Sequence, residues 1–147
     1  MSDTHSKQLK NAHAVLEYVN TRNWDALAEL LSPEFTHQIL PSSIPSHDGK
    51  ETRGKEEFVG LVSTFSTNFE KLTLLPPIDV IHGKDAVVIH FKSDGVTKSG
   101  VKFNNEYIAT FHFDGEKIVR LKEFVDSKHT TEFLGAIAFA SSTEPSK

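Results

Sequence analysis

The chain has 147 residues, with 16 Lys and Arg against 20 Asp and Glu, a net charge of -4 and no cysteine. That excludes disulfides, thiolate metal sites and a cysteine nucleophile, and it leaves no basic stripe for nucleic acid. No stretch reaches the roughly 20 apolar residues of a membrane span, and the polar first residues form no signal region, so a soluble, cytoplasmic protein of one domain is expected, ordered over about residues 8–138 between polar tails.

In chain order, Leu9, Ala12, Leu16 and Val19 recur at helical spacing. Asn23 is placed to cap a second, shorter helix through Trp24, Leu27 and Leu31, with Asp25 in its first turn and Ser32-Pro33 as its stop. A short strand follows over 35–40. A Pro, Ser and Gly-rich loop over 41–54 then leads to a third helix, along which Phe58, Leu61, Val62, Phe65 and Phe69 share a face. After residue 70 the period becomes that of strands. Residues 71–75 and 78–82 read as one strand interrupted at Pro76-Pro77, and 86–92 as the next. A Ser, Asp and Gly loop separates these from strands 105–113 and 117–125, which meet at Asp114-Gly115, the strongest hairpin signal in the chain. A last helix starts after Asp126 or Ser127, and fraying is predicted from Ser141. Helices followed by an antiparallel meander make an α+β fold, here a curved sheet of about four to five strands.

A hairpin centred on Gly115-Glu116 pairs residues whose numbers sum to 231. Ile108 then faces Glu123 and Thr110 faces Leu121, so Glu106, Ile108, Thr110, His112, Leu121 and Glu123 share one face, predicted to line a pocket. Tyr107, Phe111, Phe113 and Phe124 fall on the other, which is expected to meet a second copy of the chain. A slip of one residue would exchange the faces of one strand.

Several local patterns resemble the SnoaL-like branch of the nuclear transport factor 2-like superfamily, which contains polyketide cyclases. They are His37-Gln38-Ile39-Leu40-Pro41-Ser42, Lys55-Glu56-Glu57-Phe58, Asn105-Glu106-Tyr107, Gly115-Glu116-Lys117-Ile118-Val119, and Glu123-Phe124-Val125-Asp126-Ser127. Small fungal members are also similar. The resemblance implies a cone-shaped α+β domain, in which three N-terminal helices and a short C-terminal helix pack with a curved antiparallel sheet around a pocket. It implies a dimer, and a function among isomerases, cyclases, dehydratases, epoxide hydrolases and plain binding proteins, including enzymes of fungal secondary metabolism.

Glu123 matches the pocket-facing acid of that branch's final strand, where the family residue is usually Asp after Trp; here it is Glu after Lys122. A carboxyl in an apolar pocket holds its proton to higher pH, which suits proton transfer near neutrality. Glu106 is the predicted second carboxyl, since two neighbouring carboxyls divide into an acid and a base. His37, in the early strand, is the other candidate partner. Tyr18 of the first helix, His90, Ile108, Thr110, His112, Leu121, Phe58 and Phe65 complete the expected lining for a hydrophobic, carbonyl-bearing ligand. His37, His90 and His112 lack the compact spacing of a metal site. No phosphate loop, nucleophile elbow or dinucleotide fingerprint is present, so cofactor-independent acid/base chemistry is expected. The alternative is a non-catalytic, dimeric binding or interaction module of the same fold.

Overall fold

The computed structural model describes residues 3–45 and 49–143. Helix α1 spans Asp3–Thr21 and α2 spans Trp24–Glu29, where the Asn23 side chain accepts from the Ala26 N–H as the capping expectation requires. Strand β1 (Leu31–Leu40) begins earlier than predicted. Leu31 and Ser32-Pro33 belong to it, and the Ser32 hydroxyl accepts from the Glu34 N–H in place of a ladder bond. A two-residue strand β2 (Arg53–Gly54) leads into α3 (Lys55–Ser66), whose Glu57 accepts from the Gly54 N–H. Residues 46–48 of the predicted loop lie outside the described residues.

Phe69 opens strand β3 (Phe69–Leu74) and does not close α3. Strand β4 (Asp79–Gly83) follows the Pro76-Pro77 break, and Leu75 and Ile78 on either side still donate to carbonyls of β5 (Ala86–Thr97). Two prolines without N–H groups are tolerated because this is a sheet edge. Strand β5 runs through Ser93-Asp94-Gly95, predicted as a loop. Gly95 serves close approach: a Cβ there would lie 3.1 Å from both Leu72 Cδ1 and the Lys71 carbonyl oxygen. Strand β6 (Lys102–Phe103) is short, β7 (Glu106–Asp114) and β8 (Lys117–Val125) form the predicted hairpin, and α4 (Ser127–Thr143) continues past Ser141. Asp126 caps α4 by accepting from the His129 N–H.

The sheet order is β2-β1-β8-β7-β5-β3, with β4 and β6 also on β5. These eight strands exceed the four to five predicted. All pairings are antiparallel except β1 with β8. The sheet curls into a half-barrel, and α1, α2 and α3 pack against β1, β3, β5 and β8. Val87, Ile89, Phe91, Ala109, Phe111, Phe113, Ile118 and Leu121 are buried on its concave side against Ala12, Leu16, Leu27 and Phe58. Each large side chain so buried contributes about 1.5–3 kcal/mol. At the hairpin-turn end, the buried Gln8 side chain donates to Asp85 Oδ1 and to the Gly115 carbonyl. This ties α1 across two turns and closes that end of the cone.

Candidate active site

The register of the β7–β8 hairpin decides which side chains share the interior. Phe113 pairs with Ile118 and Asp114 with Lys117, on the predicted sum of 231, but His112 pairs with Arg120. Val119 is therefore an extra residue, a β-bulge, and beyond it the sum is 232: Ile108 faces Phe124, Ala109 faces Glu123, and Thr110 faces Lys122. The bulge moves the whole of β7 to the other side relative to the distal half of β8.

Three sets of predicted placements are corrected by that one residue. Glu106, Ile108, Thr110 and His112 lie on the convex face and not beside Glu123, with Ile108 42% exposed. Tyr107, Phe111 and Phe113 are buried on the concave face and do not form an outer aromatic surface; of the four aromatics assigned there, only Phe124 is exposed. His90 is also convex, beside Ile108, and its Nε2 lies 2.6 Å from Glu106 Oε2. The two carboxyls expected to work together thus lie on opposite faces of the sheet.

Glu123 and Leu121 do face inward. Parallel pairing sets His37 beside Leu121 and Ile39 beside Glu123, so His37 is diagonal to Glu123. His37 Nε2 lies 3.1 Å from Glu123 Oε2. The imidazole is 2% exposed and packs on the Phe58 ring, with centroids 4.5 Å apart, whereas the Glu123 side chain keeps 24% of its surface accessible. His37 Nδ1 is buried without a hydrogen-bond partner.

Two concave residues were not legible as site residues. Tyr107 stacks on Phe91 at 4.6 Å and donates to Ser93 Oγ at 3.2 Å. Burial pushes its phenol far above the ordinary range and the charge of Glu123 adds to that, against the opposing hydrogen bonds of Ser93 and Asn105. Tyr107 therefore remains a neutral donor. Arg53 is the Cα partner of His37 and is 4% exposed. Of the other expected lining residues, Phe58 meets the dyad, Phe65 packs with Phe69, Phe103 and Phe133, and Tyr18 lies half-buried against the core from α1.

Strands β1 and β8 both run toward the end away from Gln8. A depression of about 430 Å³ opens there between Ser43 and Ile44 and the first turns of α4, at Ser127, Lys128, Thr131 and Glu132. A second, of about 320 Å³, is bordered by Lys92, Ser93, Glu106 and Asp126. Neither is lined by His37 or Glu123. Among the described residues no group of three or more His, Asp or Glu is arranged to hold a metal ion. Nor is any helix long and apolar enough to cross a membrane.

The sequence model of the SnoaL-like domain matches residues 12–121. The chain belongs to the SnoaL-like family. A curated relative, the monooxygenase ptaG of Pestalotiopsis fici, is 28% identical over 138 residues, covering 92% of this chain and 94% of its own. Among solved structures, the BvnE pinacolase of Penicillium brevicompactum superposes with a TM-score of 0.80 at 21% identity, over 95% of this chain and 99% of that one. PrhC of Penicillium brasilianum does so with a TM-score of 0.81 at 12% identity, over 97% and 95%. At these identities the structural likeness is one of fold, the nuclear transport factor 2-like cone that the SnoaL-like pattern implies.

Proposed function

We propose that this SnoaL-like chain is an acid/base enzyme acting on a hydrophobic, carbonyl-bearing small molecule, of isomerase, cyclase or dehydratase type. The observation that carries this reading is the His37–Glu123 contact at 3.1 Å on a concave face otherwise lined largely by hydrocarbon and aromatic side chains.

Exposure divides the roles. Glu123 retains accessible surface and His37 does not, so Glu123 meets the ligand and His37 positions it. In the proposed step the Glu123 carboxylate takes a proton from the carbon next to the carbonyl. The C–H electron pair moves onto the carbonyl oxygen, giving an enolate and a neutral carboxylic acid. Return of the proton to another carbon completes an isomerisation. Attack of the enolate carbon on a second carbonyl closes a ring, the new alkoxide taking the proton back from Glu123, and departure of a hydroxyl β to the first carbonyl, protonated by Glu123 and leaving as water, is a dehydration. His37, donating from Nε2 to Oε2, fixes the carboxylate rotamer and leaves the other oxygen to the substrate. The relatives named as a pinacolase and a monooxygenase support catalysis over bare binding, and the choice of reaction rests on this chain's own side chains.

The direct test is exchange of α-protons for deuterium in a panel of apolar ketones in D₂O, followed by NMR. Wild type is expected to catalyse exchange with at least one of them. Glu123→Gln should lose it while melting within a few degrees of wild type, and full exchange by that variant refutes the mechanism.

The convex face supports a second component of the proposal, a homodimer. Ile108 and Phe124 are Cα partners there, 42% and 53% exposed, and Ile81 on β4 is 60% exposed on the same side. Phe124→Glu should convert a sedimenting dimer to monomer; a wild type that is monomeric at all concentrations removes this component.

A further inference from the structure

Strand register fixes what the convex face presents. On β8, Arg120, Lys122 and Phe124 pair with His112, Thr110 and Ile108 of β7. Thr110 and Ile108 pair with Val88 and His90 of β5, and these in turn with Ile81 and Asp79 of β4. Directly opposed residues share a face, so these side chains form a grid across four strands spaced about 4.8 Å apart. Its contents follow the diagonals. Phe124, Ile108, Val88 and Ile81 make an apolar ridge from one corner to the opposite one, and both of its ends are exposed.

Charge occupies the two remaining corners. Arg120 and Lys122 stand at one, with His112 beside them. Asp79 and Glu106 stand at the other, flanking His90, which is the Cα partner of Asp79 and contacts Glu106. Among the described residues neither Arg120 nor Lys122 has a carboxylate partner, and Asp79 has no cation. Glu51, which accepts from Gln38 next to Lys122, and Lys92, opposite Glu106, offset the two corners without reversing either.

We propose that two copies pack convex face on convex face about a two-fold axis that runs along the Phe124–Ile81 diagonal, oblique to the strands, so that Arg120 and Lys122 of each copy lie over Asp79 and Glu106 of the other. The inference rests on the homodimer proposed above and supplies its geometry. Two identical faces in contact are related by a two-fold axis lying in the interface plane, which reflects one grid onto the other. An axis parallel to the strands would set Phe124 against Asp79 and Lys122 against Ile81. An axis straight across them would set Phe124 against Lys122 and Ile81 against Asp79. Either puts a charge on hydrocarbon, where it loses water and gains no partner. The diagonal through the charged corners would set Arg120 on Arg120 and Asp79 on Asp79, which repel. The apolar diagonal alone lays the ridge on its own copy and each cationic corner on an anionic one.

Two charge-reversed proteins test this by sedimentation velocity. The Arg120→Glu/Lys122→Glu protein carries acid at both corners, and Asp79→Lys/Glu106→Lys carries base at both. Each alone should dimerise at least about tenfold more weakly than wild type. Mixed in equal amounts they present acid to base at both corners, and the mixed dimer should form within about threefold of the wild-type affinity. Cysteine, which the chain lacks, locates the axis independently. A residue on a two-fold axis meets its own copy, so Ile81→Cys should give a disulfide-linked dimer with oxidised glutathione and Arg120→Cys should not. Should a charge-reversed protein fail to fold, the two cysteine variants decide the matter. A mixture that does not recover, or an Ile81→Cys protein that does not cross-link, overturns the proposed axis while a wild-type dimer still stands. A wild type that is monomeric at all concentrations removes dimer and axis together.

Discussion

The His37–Glu123 pair makes an asymmetric prediction for stability. The perturbation is a double-mutant cycle of His37→Leu, Glu123→Leu and the double variant. With Glu123 removed, His37 is left 2% exposed with both ring nitrogens unpaired, since Nδ1 already lacks a partner. A buried polar group deprived of its partner costs about 1–3 kcal/mol. With His37 removed, the Glu123 carboxylate still has 24% of its side chain accessible and can take hydration, and the orphaned Nδ1 disappears as well. That change should cost less, about 0–1 kcal/mol. The double variant places hydrocarbon against Phe58 and should be within about 1 kcal/mol of wild type, giving a coupling of about 1–2 kcal/mol. Urea unfolding with a common slope measures all four free energies. A larger cost for His37→Leu than for Glu123→Leu, or additivity within about 0.3 kcal/mol, would refute the reasoning.

Two further outcomes follow from the same physics. His112 is held below the ordinary imidazole range first by burial and then by the charges of Arg120 and Lys122. The unfolded chain therefore takes up this proton more readily than the folded one: the contribution is whole above about pH 6.5 and is lost as pH falls below it toward the lower folded value. His112→Gln should accordingly reduce the drop in melting temperature between about pH 7 and pH 5, and an unchanged drop would show that other groups govern it. Gly95→Ala places a Cβ 3.1 Å from the Lys71 carbonyl oxygen, which is backbone and yields little, so a loss of about 1–3 kcal/mol in urea unfolding is expected; a neutral result would mean that β3 shifts freely against β5.

Much of the fold was legible because its signals are local. Asn23 as a cap, the Glu-rich first turn of α3, the Pro76-Pro77 break and the Asp114-Gly115 turn each act through residues a few positions apart, and each appears where its chemistry requires. Gly95 misled because a glycine in a strand and a glycine in a turn look alike until the neighbouring strand is known. The site was harder to read for the same reason. His37 and Glu123 are 86 positions apart and meet only through the parallel β1–β8 pairing. Glu106 stood beside His37 as a candidate partner because the hairpin is local, but one bulged residue, Val119, turned it to the other face. Nothing in the composition of Lys117–Val125 marks a bulge, and a period of two makes any such insertion invert the outcome. Arg53 escaped notice because its two-residue strand carries no periodicity at all.

The central claim is that proton transfer belongs to the concave Glu123 and not to the convex Glu106, so the decisive measurement compares their Gln variants in the same α-proton exchange assay. Removal of a positioned acid/base group costs about 10²–10⁴-fold, and Glu123→Gln is expected to lose exchange by that factor while Glu106→Gln retains it within about twofold. Retained exchange in Glu123→Gln with loss in Glu106→Gln would contradict the account.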